Sequence, residues 1–240
     1  SSLQVRALEA LGKCTSIYVE TYTSGSRENL VDTLRKALGK EVTLLPREKV
    51  EQSRMILNSA RTSDTAFLVQ GDALTATTHN QVRIDSMAEG IDVIVLENSS
   101  IITAIIGYLG LQIYKLGQVV SLPFVTERFF PRSPYDKILG NMERGLHTML
   151  LLDITETGYM SVPEACSILE RMNERFGNRL DLDAMKIAVV HAYGTGSLAV
   201  RYGKMADVCK AEYTQNPSTI VIPGKLDFYE KQFISHFAIG

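Results

Sequence analysis

The segment Gly71–His79 (GDALTATTH) contains the side chains best suited to bind a ligand. It directly follows a short apolar run, and in open α/β sheets ligands bind beyond the carboxyl ends of the strands. Gly71 permits a sharp turn or a close backbone approach, and the Asp72 carboxylate can accept hydrogen bonds from a ribose diol or an amino group. From spacing alone, a turn in which Asp72 caps the next helix is the more common arrangement.

Three other places combine turns with polar groups. Glu97–Ile101 (ENSSI) follows an apolar run and precedes a helical pattern, so its amides and hydroxyls suit an anion or a plain helix cap. His147, which enters the apolar run of RGLHTMLLLD, could act as a base but is more often structural. His191–Ser197 (HAYGTGS) and Ile222–Leu226 (IPGKL) also end strands, and the first lacks the third glycine of a dinucleotide fingerprint. The sequence contains no P-loop, HExxH or nucleophile elbow, so those reaction classes have no support.

Composition narrows the classes of function further. The 240 residues suffice for one large or two medium α/β domains. A net charge of −2 with interspersed charges gives no reason to expect nucleic acid or an anionic membrane as a partner. The longest apolar stretch, Ile101–Leu111, is well short of the ~20 residues that span a bilayer. The first residues given (SSLQVRALEAL) predict an amphipathic helix, without the apolar core of a secretory signal. Cys14, Cys166 and Cys209 are odd in number and far apart. They predict reduced thiols without a disulfide or a metal site, as in a cytoplasmic protein.

Short β-branched runs alternate with helical patterns along the chain, which predicts an α/β fold with mostly parallel strands. The predicted strands are Ser16–Glu20, Val42–Leu45, Thr65–Val69, Asp92–Glu97, Val119–Phe124, Thr148–Ile154, Lys186–His191 and Thr219–Pro223. A helix over Glu28–Leu38 ends at Gly39, and a second helix begins at the capping box Ser161–Glu164 and ends at Gly177.

The strands fall into two sets. A segment rich in proline and aromatic residues (SLPFVTERFFPRSPYD) follows Gly117 and separates them. We therefore predict two α/β domains, residues 1–116 and 117–240, with a ligand cleft between them.

Taken together, these motifs resemble the diphthine synthase family of tetrapyrrole-methylase-like methyltransferases. The matching segments are YVETYTS, PREKVE, AFLVQGDALTATTH, LGLQIYKLG, RGLHTMLLLDI and IPGKL, in the family's order and over nearly the whole chain. The combination of GD-x-L-x-ATTH with RGLHT before an LDI-ending strand separates this family from relatives of the cobalamin pathway.

The resemblance implies two α/β domains with S-adenosylmethionine in the cleft between them, S-adenosylhomocysteine as product, and a homodimer. By similarity, the cofactor-binding residues are Asp72, Thr75, Ser100, Ile101, Leu152 and Ala192, with Asp227 at a further contact. The implied substrate is the amine of an aminocarboxypropyl group on a histidine of translation elongation factor 2, which receives methyl groups up to a trimethylammonium. The titratable residues to test as its base are Glu20, Tyr22, His79 and Asp153.

The chain departs from the family pattern in three ways. The family begins with a strand and a glycine-rich turn that this sequence lacks. Since a sheet without that strand has an open edge, we expect that the N-terminus is truncated or that disordered residues are left out there. Ala73 replaces the usual proline of the GD-P-L motif, and Asp227 stands where histidine is common. Two alternatives stay open: a tetrapyrrole methylase of the cobalamin pathway, and a catalytically silent cofactor-binding paralogue that serves as a scaffold for elongation factor 2.

Overall fold

The computed structural model describes residues 3–22, 28–52, 54–155, 158–214 and 217–239. The chain divides into two compact units, Ser1–Ile101 and Ile102–Gly240. This division lies before the predicted domain boundary at residues 116 and 117. The reason is that the helix which begins at Ile101, and the turn that follows it, bury Ile105, Ile106, Leu109 and Leu111 against the sheet of the second unit.

The first unit is built on a small parallel sheet. Its elements are α1 (Val5–Lys13), β1 (Ser16–Glu20), α2 (Glu28–Leu38), β2 (Thr43–Leu45), α3 (Arg47–Glu51), α4 (Arg54–Ala60), β3 (Thr65–Leu68) and α5 (Asn80–Ala88). The strand order is β2-β1-β3, with Tyr18 opposite Thr43 on one side and Phe67 on the other. Because the strands are parallel, their carboxyl ends lie at one edge, where the segments after Glu20 and Leu68 begin.

Helix α2 follows the sequence prediction, including its end. Val31 and Leu34 are buried and pack with Ile17 and Val19 of β1, and Gly39 adopts the positive φ of 61° that ends many helices. Apolar spacing and a terminal glycine were sufficient signals here.

The predicted strand Asp92–Glu97 is wrong: the segment has no regular structure, although its composition is β-branched. A strand requires a neighbour that accepts and donates backbone hydrogen bonds, and no described residue forms a ladder with this segment. Ile94 accordingly remains 80% exposed.

The second unit holds a larger mixed sheet. Its elements are α6 (Ile101–Tyr108), a 3₁₀ turn (Ile113–Lys115), β4 (Val120–Leu122), α7 (Ser133–Glu143), β5 (Thr148–Leu152), β6 (Ile154–Thr155), β7 (Gly158–Tyr159), α8 (Val162–Phe176), β8 (Lys186–His191), β9 (Ala199–Lys204), α9 (Met205–Val208), β10 (Ser218–Ile222), α10 (Phe228–Ile234) and a 3₁₀ turn (Ser235–Phe237). The order is β4-β5-β10-β8-β9, and β6 pairs separately with β7.

The α/β class is confirmed, but mostly parallel pairing holds only for the first sheet. In the second sheet β4–β5 is parallel and the other three pairs are antiparallel. Sequence reasoning missed β9 and assumed a helix after each strand. Only residues 192–198 join β8 to β9, too short for the crossover that parallel strands need.

Both faces of this sheet are covered, so its inner strands are apolar throughout. Along β8, Ile187 and Val189 face the cluster that contains α8, whereas Ala188 and Val190 face the cluster that contains α6. Helix α8 begins with the predicted capping box between Ser161 and Glu164 and ends at Gly177 with φ 112°. The unit is therefore a three-layered α/β/α arrangement.

Two cysteines correct the sequence prediction of three reduced thiols. Cys166 of α8 and Cys209 after α9 form a disulfide with Cα atoms 6.5 Å apart, and Cys14 is free. The two are 43 residues apart, so no local spacing signals the pairing. They meet because α8 and α9 pack against the same apolar cluster.

Candidate functional site

The loop Gly71–His79 leaves the carboxyl end of β3 in a conformation that Asp72 fixes. Asp72 Oδ1 accepts hydrogen bonds from the N–H groups of Leu74 and Thr75, each at 2.8 Å. The bond from Leu74, with smaller contributions from the Thr75 hydroxyl and N–H, lowers the pKa of Asp72 although burial opposes the shift. Asp72 thus closes its own turn as an anion and does not cap α5, whose first turn lacks a side-chain cap.

The same loop contains strained and unsatisfied groups typical of ligand sites. Gly71 has φ 80°, and Ala76 has φ 54°, which is rare for a residue with a Cβ atom. A Cβ placed on Gly71 would lie 3.6 Å from the Ser99 carbonyl oxygen, so the segment before α6 runs beside this loop. The buried Oγ1 of Thr77 has no hydrogen-bond partner among the described residues. An orphaned hydroxyl of this kind is expected where a ligand binds.

His79 ends the loop and is buried in a defined protonation state. Its Nδ1 lies 3.2 Å from the Ala73 carbonyl oxygen, which can only accept, so Nδ1 bears the hydrogen. Nε2 then accepts from the Tyr22 hydroxyl at 3.0 Å. Burial lowers the pKa of His79, opposed by the Ala73 bond and by the charge of Glu20. His79 is therefore a neutral imidazole.

Glu20 and Tyr22 stand at the end of β1 next to this histidine. Glu20 is buried, and its Oε2 accepts from the Tyr22 N–H at 3.0 Å. Burial, with Glu20 and Glu51, raises the pKa of Tyr22 to about 12, against the opposing charge of Arg47, whose guanidinium lies 5.7 Å from the ring centroid. Three of the four predicted base candidates thus meet in the first unit. Arg47 was part of a matching motif, but nothing in the sequence marked it as a contact of Tyr22.

The fourth candidate, Asp153, lies in the second unit and has a structural role there. Its Oδ2 accepts from the Phe124 N–H at 3.1 Å and its Oδ1 from the Ile154 N–H at 2.9 Å. These bonds fix the chain beyond the ends of β4 and β5. Leu152, the last residue of β5, is half-buried.

Ala192 and Asp227, two further predicted cofactor contacts, also belong to the second unit. Ala192 is buried with φ 52°, and its carbonyl accepts from both the N–H and the hydroxyl of Thr195. Asp227 caps α10 by accepting from the Glu230 N–H at 2.9 Å and also accepts from the Gln112 side chain. Both residues stay predictions as cofactor contacts.

His147 is structural, as the commoner interpretation of its position held. It is fully buried, and its Nδ1 accepts from the Gly224 N–H at 3.0 Å. Its Nε2–H therefore donates to Glu230 Oε1 at 2.9 Å, and Lys115 Nζ pairs with the other carboxylate oxygen. Neither Lys115 nor Glu230 was predicted as a site residue. Lys115 lies in the matching segment LGLQIYKLG, whereas Glu230 lies outside all matching segments, so nothing in the sequence marked it.

Two absences in the described part of the chain bear on metals and membranes. Within it, His, Cys, Asp and Glu side chains form no group of three suited to hold a metal ion. Its helices are all too short or too polar to cross a membrane.

Comparison with known proteins assigns this α/β fold to a class of methyltransferases. Residues 1–209 match the family of tetrapyrrole (corrin/porphyrin) methylases. The chain is 34% identical over 235 residues to a diphthine synthase of Methanococcus aeolicus (97% of this chain, 91% of the relative). It is 35% identical over 233 residues to a diphthine synthase of Methanosphaera stadtmanae (96% and 88%).

A solved structure agrees with these relatives. A crystal structure named as a diphthine synthase from Entamoeba histolytica superposes with a TM-score of 0.87 at 31% identity, covering 99% of this chain and 93% of that one. The chain therefore belongs to the tetrapyrrole methylase family and, within it, to the diphthine synthases. It is a methyltransferase.

Proposed function

We propose that this enzyme transfers methyl groups from S-adenosylmethionine to the amine of the aminocarboxypropyl-histidine of elongation factor 2, forming trimethylated diphthine in diphthamide biosynthesis. The Gly71–His79 loop is the observation that carries the proposal. It is preformed, it presents an ionised Asp72, and it contains the unsatisfied hydroxyl of Thr77. The diphthine synthase relatives support the same reaction.

The residues of the first unit fit a nucleoside cofactor. The Asp72 carboxylate suits the hydroxyls of a ribose, and Thr77 Oγ1 lacks a partner in the described part of the chain. Because Gly71 runs beside Ser99, the adjoining Ser100 and Ile101 are near the same loop. We assign cofactor contacts to Asp72, Thr75, Ser100 and Ile101, and in the second unit to Leu152, Ala192 and Asp227. When bound, the cofactor supplies an electrophilic methyl group on a sulfonium.

The methyl acceptor must be an unprotonated amine, and the site must accommodate the methylated ammonium that forms from it. Alignment of the reacting atoms supplies most of the rate in such a displacement. The buried Glu20 carboxylate provides negative charge beside Tyr22, and an aromatic ring can contact a methylated ammonium through its face. We therefore assign Glu20 and Tyr22 to the surroundings of the acceptor amine.

The proposed protein substrate also implies a binding partner, an assembly state and a cellular location. We propose elongation factor 2 as the partner, a homodimer as the functional assembly and the cytoplasm as the location. Light scattering of the purified protein gives the assembly state directly: a mass of about twice the 26.6 kDa chain supports the dimer, and a mass equal to the chain contradicts it.

Mass spectrometry of elongation factor 2 that bears aminocarboxypropyl-histidine, after incubation with this enzyme and S-adenosylmethionine, tests the proposal. Mass gains in methyl steps on that histidine support it and count the transfers. If elongation factor 2 gains no mass while the enzyme still binds the cofactor, the proposal fails. Methylation of precorrin substrates would then favour the cobalamin-pathway alternative, and inactivity on both would favour a scaffold.

The variant Asp72→Asn tests whether the charge of the candidate cofactor loop contributes to cofactor binding. An asparagine Oδ1 can still accept from the Leu74 and Thr75 N–H groups, so the turn is kept while the charge is lost. We expect cofactor affinity to fall by roughly tenfold, because charge-assisted hydrogen bonds are about twice as strong as neutral ones. Asp181→Asn is the matched control, since exposed Asp181 closes a similar turn onto the Ala184 N–H at 3.1 Å.

A further inference from the structure

His79 closes the candidate cofactor loop on itself. The loop turns first at Asp72, whose carboxylate fixes Leu74 and Thr75. His79 then returns to the carbonyl of Ala73 through Nδ1–H at 3.2 Å. The strained Ala76 and the unsatisfied Thr77 hydroxyl lie between these two bonds. Without the histidine bond, the second half of the loop would lose its only described side-chain tie to the first half.

Tyr22 and Phe67 set the direction of the His79 ring. The Tyr22 hydroxyl donates to Nε2 at 3.0 Å, and the Phe67 ring meets the imidazole edge-on with centroids 5.3 Å apart. Tyr22 follows β1 and Phe67 lies in β3, so both neighbours are anchored to the sheet. The hydrogen bond from Tyr22 also leaves Nδ1 as the nitrogen that carries the hydrogen toward Ala73.

The accessibility of the ring argues against proton exchange with a substrate. The His79 side chain is 3% exposed, and both of its nitrogens already have partners within the protein. A general base must come within hydrogen-bonding reach of the proton that it removes. The same geometry suits a residue that holds the loop in place.

We infer that His79 is a positioning residue, not the base: its Nδ1–H, oriented by the Tyr22 hydroxyl, holds the Ala73–His79 loop in the conformation that binds the cofactor. This inference rests on the proposed function, because it takes the loop as the cofactor site. Tyr22 acts through His79 in this arrangement.

Two substitutions of His79 test the hydrogen bonds of its two ring nitrogens one at a time. In His79→Asn the amide nitrogen can take the place of Nδ1 and donate to Ala73, but the side chain cannot reach Tyr22. In His79→Gln the amide oxygen can accept from Tyr22 at the place of Nε2, but no donor reaches Ala73. Calorimetric titration with S-adenosylhomocysteine compares their affinities. We expect His79→Gln to bind at least roughly tenfold more weakly than wild type, because it leaves the Ala73 carbonyl without its donor. His79→Asn loses only the Tyr22 bond, as Tyr22→Phe does, and should bind about threefold more weakly.

Kinetics at saturating S-adenosylmethionine distinguish positioning from catalysis. For His79→Asn we expect kcat within about threefold of wild type, and the acid limb of its pH profile unchanged. A loss of roughly 100-fold or more in kcat with an unchanged cofactor affinity is what a general base predicts, and it would overturn the inference. Equal affinities of the Gln and Asn variants would overturn it as well.

Two further variants keep the possible outcomes distinct. His236 is exposed and its Nδ1 likewise bonds a carbonyl, that of Phe233 at 3.0 Å, so His236→Gln should bind the cofactor as wild type does. Tyr22→Phe keeps the ring but removes the donor, and we expect affinity to fall by about threefold or more even if His79→Gln proves unstable. Wild-type protein that binds no S-adenosylhomocysteine overturns the proposed function and this inference together; wild-type binding with an unaffected His79→Gln overturns the inference alone.

Discussion

His147 Nε2 donates to Glu230 Oε1 at 2.9 Å, although the two residues are 83 positions apart in the chain and both side chains are buried. The bond joins the start of β5 to the first turn of α10. Glu230 also accepts from the N–H groups of Gln112 and Asp227, each at 2.9 Å, and pairs with Lys115. Two sequence motifs of the second unit, LGLQIYKLG and RGLHTMLLLDI, thus meet at one carboxylate.

Glu230→Gln should destabilise the protein and weaken its sensitivity to acid. Burial by itself would raise the pKa of Glu230, but hydrogen bonds from Lys115, Asp227, Gln112 and His147 outweigh it and hold the pKa at about 2. Because this lies below the unfolded value of about 4.3, the stability is present above that pH and is lost as pH falls toward 2, an effect on the order of 3 kcal/mol.

Urea unfolding at neutral pH and near pH 3 measures both effects of this substitution. The exposed pair of Arg179 and Glu143 supplies the control Glu143→Gln, which should change stability by less than about 1 kcal/mol. Parallel acid dependence in wild type and Glu230→Gln would show that Glu230 is not the group responsible.

Gly224→Ala should be strongly destabilising. A Cβ at this position would lie 2.4 Å from the Gly145 carbonyl oxygen and 2.5 Å from the Leu146 carbonyl carbon, so the backbone must move. The bond from the Gly224 N–H to His147 would then lengthen. We expect a loss of about 2–3 kcal/mol, typical of overpacking in a close-packed interior.

Gly140→Ala is the matched control for that change. Gly140 lies within α7, and apart from the backbone of its own helix no described group that could clash lies within 4 Å of an added Cβ. The substitution should raise stability by about 0.5–1 kcal/mol, because alanine favours helix more than glycine does. Thermal unfolding of both variants compares their stabilities. Similar melting temperatures for the two variants would contradict the steric argument.

Reduction of the Cys166–Cys209 bond should lower the melting temperature. A cross-link over 43 residues contributes about 4 kcal/mol through the lost entropy of the unfolded chain. Calorimetry with and without dithiothreitol should show a decrease of roughly 8–16 °C. Cys14→Ser, at the free cysteine, should retain this response to reductant. Counting three free thiols in the oxidised protein would contradict the disulfide.

Tyr22 should ionise only in strong alkali. Burial is the main reason that its pKa rises to about 12, followed by the charges of Glu20 and Glu51. The pKa of Tyr213 also rises to about 12, chiefly through burial. Since the raised values favour the neutral phenol, Tyr22 remains a hydrogen-bond donor to His79 at every pH below this range.

Phenolate absorbance during an alkaline titration tests the Tyr22 prediction. Tyr22→Phe should remove part of the absorbance that develops near pH 12, and Tyr213→Phe should remove a similar part. If Tyr22→Phe instead removes absorbance near pH 10, the hydroxyl is in ordinary contact with water and does not donate to a buried histidine.

The sequence correctly predicted the helix ends that depend on residues close together in the chain. The pairing of Ser161 with Glu164 and the terminal glycines 39 and 177 depend on residues within one or two helical turns, and each was confirmed. The segment Asp92–Glu97 failed for the opposite reason: its composition favours a strand, but a strand also requires a paired neighbour.

The sequence by itself determined the α/β class, the family and the loop that holds Asp72 and His79, because these follow from short patterns of glycine, acid and apolar residues. Only the tertiary structure decided which distant groups meet. It gave His79 its protonation through Tyr22 and Ala73, brought Cys166 to Cys209, and buried Glu230 between His147 and Lys115. Such contacts form only when whole helices and strands pack together, so the spacing of residues along the chain does not predict them.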